Sequence, residues 1–160
     1  MQFPEYYNSL SVGNRSIDSE HQKLSAIIND ISQLILVNHT VALSVAIKML
    51  ADCLHECFFV EENIAQAVNF DFTKHKLTHQ ALLNNFRAIT DKLISQNGNL
   101  SKLERKVCID SLNELLIKHI KNDSKPLKEV LDTHLYDFKP PELEAPKVKC
   151  GYGWVLQENE

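Results

Sequence analysis

Four runs of apolar residues recur every three or four positions, and each run is interrupted on its own face by residues that do not belong in an oily seam. The first reads Ile17, His21, Leu24, Ile28, Ile31, Ile35, and the second Ile47, Leu50, Leu54, Cys57, Glu61, Ile64, Val68. The third reads Phe72, His75, His79, Leu82, Phe86, Ile89, Leu93, and the fourth Cys108, Leu112, Leu115, His119, Asp123. This period is that of α-helices, not strands, and four Gly and five Pro in 160 residues leave little to break it. Helices are expected over about 17–37, 41–68, 73–96 and from about 101 to about 138. Ser101 followed by Glu104 reads as a capping box at the start of the last one. Pro126 is expected to disturb that helix, because it lacks an amide and crowds the preceding turn, and Pro140 and Pro141 to end it.

The links, near 38–40, 69–72 and 97–100, are short. Short links between long helices make sequential neighbours antiparallel, which predicts an all-α, up-down-up-down four-helix bundle. The length fits one domain: a bundle over 1–138 with an arm at 1–17, then an irregular tail at 139–160 holding an apolar Gly-Tyr-Gly-Trp-Val-Leu patch.

Composition removes several classes of function. Net charge is −4 and the lysines form no dense block, which speaks against nucleic-acid binding by a basic face. Lys118, Lys121, Lys125 and Lys128 read as a solvated helix face. No run approaches the roughly 18 apolar residues of a membrane span, and Met1 to Leu10 lacks the pattern of a secretory signal. Four scattered cysteines, two of them one helical turn apart, read as free thiols in a reducing compartment. The expected location is cytoplasmic.

The polar intruders fall at one height. His21 lies 16 residues before Val37, and Cys57 lies 16 after Val41; Glu61 is 6 before Ala67, and His79 is 6 after Thr73. His79 is 17 before Gln96, and His119 is 18 after Ser101. In antiparallel helices these counts place all four helices' polar groups in one layer. A lone core histidine is ordinarily a packing residue with a hydrogen bond, and a lone His-x-x-x-His pair is ordinarily chance. Four imidazoles and a carboxylate converging from four helices are different, because burying them is costly unless they are paired or bound to a cation. Imidazole suits iron, zinc, copper and nickel, and a bridging carboxylate in a bundle favours a pair of iron or manganese ions. His39, His55 and His134 lie off this layer and read as ordinary.

Residues 10–21 (LSVGNRSIDSEH), 57–62 (CFFVEE), 75–79 (HKLTH) and 115–120 (LLIKHI) together resemble the hemerythrins, in particular the bacterial hemerythrin-like proteins, over about 10–130. The resemblance implies a non-haem di-iron centre in which five histidines and two bridging carboxylates hold the metals and dioxygen binds reversibly at one of them. It makes His75, His79 and His119 ligands of one iron, His21 a ligand of the other, and Glu61 a bridge. Two positions depart from the pattern. Cys57 stands where the family has a histidine, and Ser124 stands where it has the second bridging Asp, so that Asp123, one place early, is expected to take the bridging role.

Cys57 admits two readings. As a thiolate ligand it would lower the reduction potential and be open to oxidation. As a protonated core thiol it would leave one metal, iron or zinc, on three histidines and Glu61. The expected function is an iron protein, di-iron by preference, that binds or senses dioxygen or another small diatomic molecule rather than an enzyme. The alternative is a redox or nitric-oxide responsive module with Cys57 at or near the metal. A bundle without metal, serving only protein interaction, is the third reading, and the sequence names no protein partner.

Overall fold

A computed structural model describes residues 10–97 and 99–140 of the chain. Its elements are α1 (Arg15–Val37), α2 (Thr40–Ala67), α3 (Thr73–Ser95), α4 (Lys102–Lys118), a π-helical turn (His119–Asp123) and α5 (Lys125–Leu131). The four long helices close into a ring: α1 packs on α2 and α4, and α3 packs on the same two. This is the expected four-helix bundle, with α5 as an extension. No helix among the described residues is long and apolar enough to cross a membrane.

Polar residues set the helix ends. Asn14 opens α1 by accepting from the amides of Ser16 and Ile17, which would otherwise be orphaned in the first turn. Ser101 and Glu104 form the reciprocal capping box at the start of α4. Three asparagines, Asn38, Asn69 and Asn97, adopt left-handed backbone with φ of 59°, 55° and 43°. Each lies just past a long helix, where that conformation turns amides back onto the last free carbonyls: Asn38 donates to Ile35, Asn69 to Gln66 and Asn97 to Ile94. Asparagine tolerates this region because its short side chain hydrogen-bonds locally.

The fourth expected helix is not continuous. The amide of Ser124 donates to the carbonyl of His119, five residues back, so the chain passes through a single wide turn. Pro126 then sits in the first turn of α5, where its missing amide costs nothing. The expected disturbance is thus present, and Pro126 helps start the helix that follows.

The core is a continuous apolar seam, with Ile17, Leu24 and Ile31 of α1, Leu50 and Ile64 of α2, Phe86 and Leu93 of α3 and Leu112 and Leu116 of α4 all buried. Leu116 takes the inward place expected for Leu115, which is only partly covered. Leu127 and Leu131 of α5 are fully buried and extend the core under the far end of the bundle. There the arm and the chain after α5 are tied to α1. The Lys128 ammonium donates to the Ser11 carbonyl, the Arg15 amide to the Tyr136 carbonyl, and the Asn14 side-chain amide to the Phe138 carbonyl. Residues 1–9 of the expected arm and 141–160 of the expected tail lie outside the described residues.

Cys57 and Cys108 are free, but Cys53 is engaged in a disulfide. This corrects the expectation of four free thiols and removes that support for a reducing compartment.

Candidate metal centre

One carboxylate organises the centre. Glu61 projects from α2 about two turns before its C-terminal end and is wholly buried, with imidazoles from the other sides of the bundle against it. Its Oε1 lies 2.9 Å from His21 Nε2 and 3.3 Å from His119 Nε2. Its Oε2 lies 3.1 Å from His75 Nε2 and 3.0 Å from His79 Nε2. The two oxygens thus face two different pairs of imidazoles.

Helix geometry explains the convergence. His75 and His79 stand four apart on α3, as Cys57 and Glu61 do on α2, and residues at that spacing share one face. The His119 ring enters from the start of the π-helical turn, and turns of this kind recur at functional sites. Two phenylalanines set ring planes on the α3 side. Phe58 stacks on His79, and Phe72 stacks on His75 with ring centroids 4.6 Å apart and 13° between planes.

Cys57 is buried beside this group. Donor atoms of His21, Cys57, Glu61 and His119 all lie within 4.8 Å of one another, and so do those of Glu61, His75, His79 and His119. Two overlapping four-donor sets therefore share Glu61 and His119.

The donors suit a cation better than they suit each other. His75 Nε2 and His119 Nε2 approach Glu61, yet neither has a hydrogen-bond partner among the described residues, because both lie off the line such a bond requires. Orphaned buried nitrogens are rare and call for an explanation. A soft-to-borderline divalent ion supplies one, since imidazole nitrogen, thiolate sulfur and carboxylate oxygen are its ordinary ligands.

The electrostatics agree. Burial alone would raise the Glu61 carboxyl, but the surrounding imidazoles, His119 foremost, outweigh it and hold the group well below the usual carboxylate range. Glu61 is thus an anion in a dry interior. Burial lowers His79, with its Glu61 bond opposing the shift, so this ring favours the neutral form in which it can ligate. Burial, reinforced by the Glu61 charge, pushes the Cys57 thiol well above its ordinary value. Without a cation Cys57 stays protonated.

Of the seven residues expected at the site, the structure brings six together: His21, Cys57, Glu61, His75, His79 and His119. Asp123 belongs to neither donor set and is only partly buried. The reason is the wide turn. An i→i+5 bond sets Ser124 over His119, and Ser124 is fully buried there with its hydroxyl directed at the His119 carbonyl, 3.2 Å away. The stripe that singled out Asp123 assumed a regular α-helix. The stacking role of Phe58 was not anticipated; its place beside Cys57, one residue out of the inward stripe, was the available signal. Phe72 stood in the stripe only as a core residue.

Comparison with known proteins adds an independent observation. The chain is similar to a hemerythrin-like protein of Naegleria gruberi, 32% identical over 125 residues that cover 78% of this chain and 90% of the relative. A hemerythrin-like protein of Naegleria fowleri matches with the same identity and coverage. No family model matches the chain, and no solved structure matches it.

Proposed function

The chain belongs to the hemerythrin-like family, and from that premise we propose that it holds non-haem iron, as two ions sharing Glu61, and binds or senses dioxygen or another small diatomic molecule. The observation that carries this reading is the division of Glu61 between two pairs of imidazoles, one pair at each oxygen. A carboxylate placed so is suited to bridge two cations. In this reading His75 and His79 hold one iron and His21 and Cys57 the other, with His119, which shares Glu61 Oε1 with His21 but belongs to both donor sets, completing the first as the family resemblance implies. Asp123, outside both donor sets, is not among the ligands.

Ferrous iron, when bound, supplies an electron-rich centre with an open position for a diatomic ligand. The residues do the rest. Glu61 and Cys57 supply negative charge against two divalent ions, and the neutral imidazoles add none. Phe58 and Phe72, packed flat on His79 and His75, keep water from that side and hold the rings in place.

The test is the metal content and colour of protein made in iron-rich medium. About two irons per chain, the stoichiometry of a carboxylate-bridged bundle site, with a visible charge-transfer band appearing on exposure to air, is the expected result. A colourless protein without iron overturns the reading.

A second reading rests on Cys57, which occupies a seat the family gives to histidine. It makes the protein a redox or nitric-oxide responsive module in which the sulfur is the sensitive group. Cys57→His separates the two. If the substitution creates reversible oxygen binding that the parent lacks, the parent is the responsive module.

A further inference from the structure

His21 has two ring nitrogens, and only one is accounted for by the centre. Nε2 faces Glu61. Nδ1 is buried without a hydrogen-bond partner among the described residues. An imidazole that gives its Nε2 lone pair to a cation carries its proton on Nδ1, and ligating histidines almost always donate that N–H to a carboxylate, a carbonyl or water.

Beside the ring is a cavity of about 80 Å³ lined by Ser11, Asp18, His21, Gln22 and Tyr136 among others. One water needs only about 10–15 Å³ by this measure and two to four polar partners, so the cavity has both the room and the groups. Asp18 is three residues before His21 on α1 and therefore on the same face. It is buried, and its carboxylate is already oriented. Ser11 Oγ and the Val12 amide donate to it, and Tyr136, from the chain beyond α5, lines the cavity beside it. Two donors leave room at a carboxylate with about four acceptor positions.

We propose that Asp18 is a positioning residue for the metal centre: water held in this cavity accepts the Nδ1 proton of His21 in a hydrogen bond and donates to the Asp18 carboxylate. The bridge fixes the tautomer and the aim of His21 and makes its Nε2 a better donor. The inference rests on the metal reading above. Because Asp18 serves His21 alone whereas Glu61 serves both seats, its loss is felt at one seat only.

The test is anaerobic titration with cobalt(II), read by its visible bands and by the shifted, exchangeable imidazole N–H proton resonances of the loaded protein. Asp18→Asn is expected to weaken one of two cobalt sites about tenfold or more, to leave the other within about twofold, and to move one N–H resonance. Ser11→Ala, which removes one of the two hydrogen bonds from the arm to Asp18 but spares the carboxylate and its bond from the Val12 amide, is expected to change neither site. Should Asp18→Asn not fold, Gln22→Trp, which fills the cavity from its exposed rim, is expected to give the same one-site loss. Unchanged affinities in Asp18→Asn, or in Gln22→Trp where that stands in, overturn the proposal and leave the metal reading intact, as does an equal loss in Ser11→Ala. A parent that takes up no cobalt and no iron overturns both.

Discussion

Phe58 and His79 lie face to face, ring centroids 3.7 Å apart and planes 9° from parallel. Phe58 is next to Cys57 on α2, so the helix that carries the shared carboxylate also sets the plane of a ring on α3. Removing the plate frees His79 to rotate without changing any donor. Phe58→Leu is expected to keep the fold and to weaken the cation on the His75–His79 side by about tenfold, the scale for a support behind a ligand. Metal titration followed by elemental analysis checks this.

Acid should destabilise the metal-free protein through the same ring. Burial lowers His79 from an unfolded value of 6.5, so between that value and the folded one the unfolded chain takes up a proton that the native chain refuses. Stability therefore falls as pH drops below about 6.5 and is level above it, as far as this group is concerned. The urea midpoint of the metal-free protein, followed from about pH 7.5 to about pH 5, is expected to fall more steeply in the parent than in His79→Gln.

Metal entry has to remove a proton that the empty site holds firmly. The Cys57 thiol is raised by burial and by the Glu61 charge, whereas a coordinating thiol is deprotonated outright. The cobalt-loaded parent is expected to show a near-ultraviolet thiolate-to-metal band that Cys57→Ser lacks. If parent and variant have identical spectra, Cys57 is a packing thiol and one seat depends on His21 and Glu61 alone.

Ser124 offers a gain-of-carboxylate experiment. It is wholly buried in the turn after His119, where the resemblance to the hemerythrins implies an aspartate. Ser124→Asp puts an uncompensated charge into a dry interior, which costs on the order of 3–5 kcal/mol. The metal-free Tm is expected to drop accordingly, and the rise in Tm on adding divalent cation to exceed that of the parent by mass action.

Much of this molecule was readable before any coordinates, for a definite physical cause. Where a helix is regular, spacing is direction, so His21, Cys57, Glu61, His75 and His79 could be turned inward on paper. Link lengths then placed them at one height. Spacing stops giving direction where the helix stops being regular. The bond from Ser124 back to His119 is one residue wider than an α-turn, and it exchanged Asp123 for Ser124. The disturbance expected at Pro126 is present as the interruption just before it, but spacing alone could not show that a new helix starts there with Pro126 in its first turn. The Asp18 cavity was illegible for another reason: it joins the arm, the first turns of α1 and Tyr136, more than a hundred residues apart in the chain.

The double duty of Glu61 has a thermodynamic corollary. If two cations share that carboxylate, whichever arrives first orients a side chain that the second one also needs, so the later arrival finds half its welcome prepared. Occupancy then tends toward all-or-none. At limiting iron, a population of these molecules would divide into vacant and fully charged individuals, with few caught between.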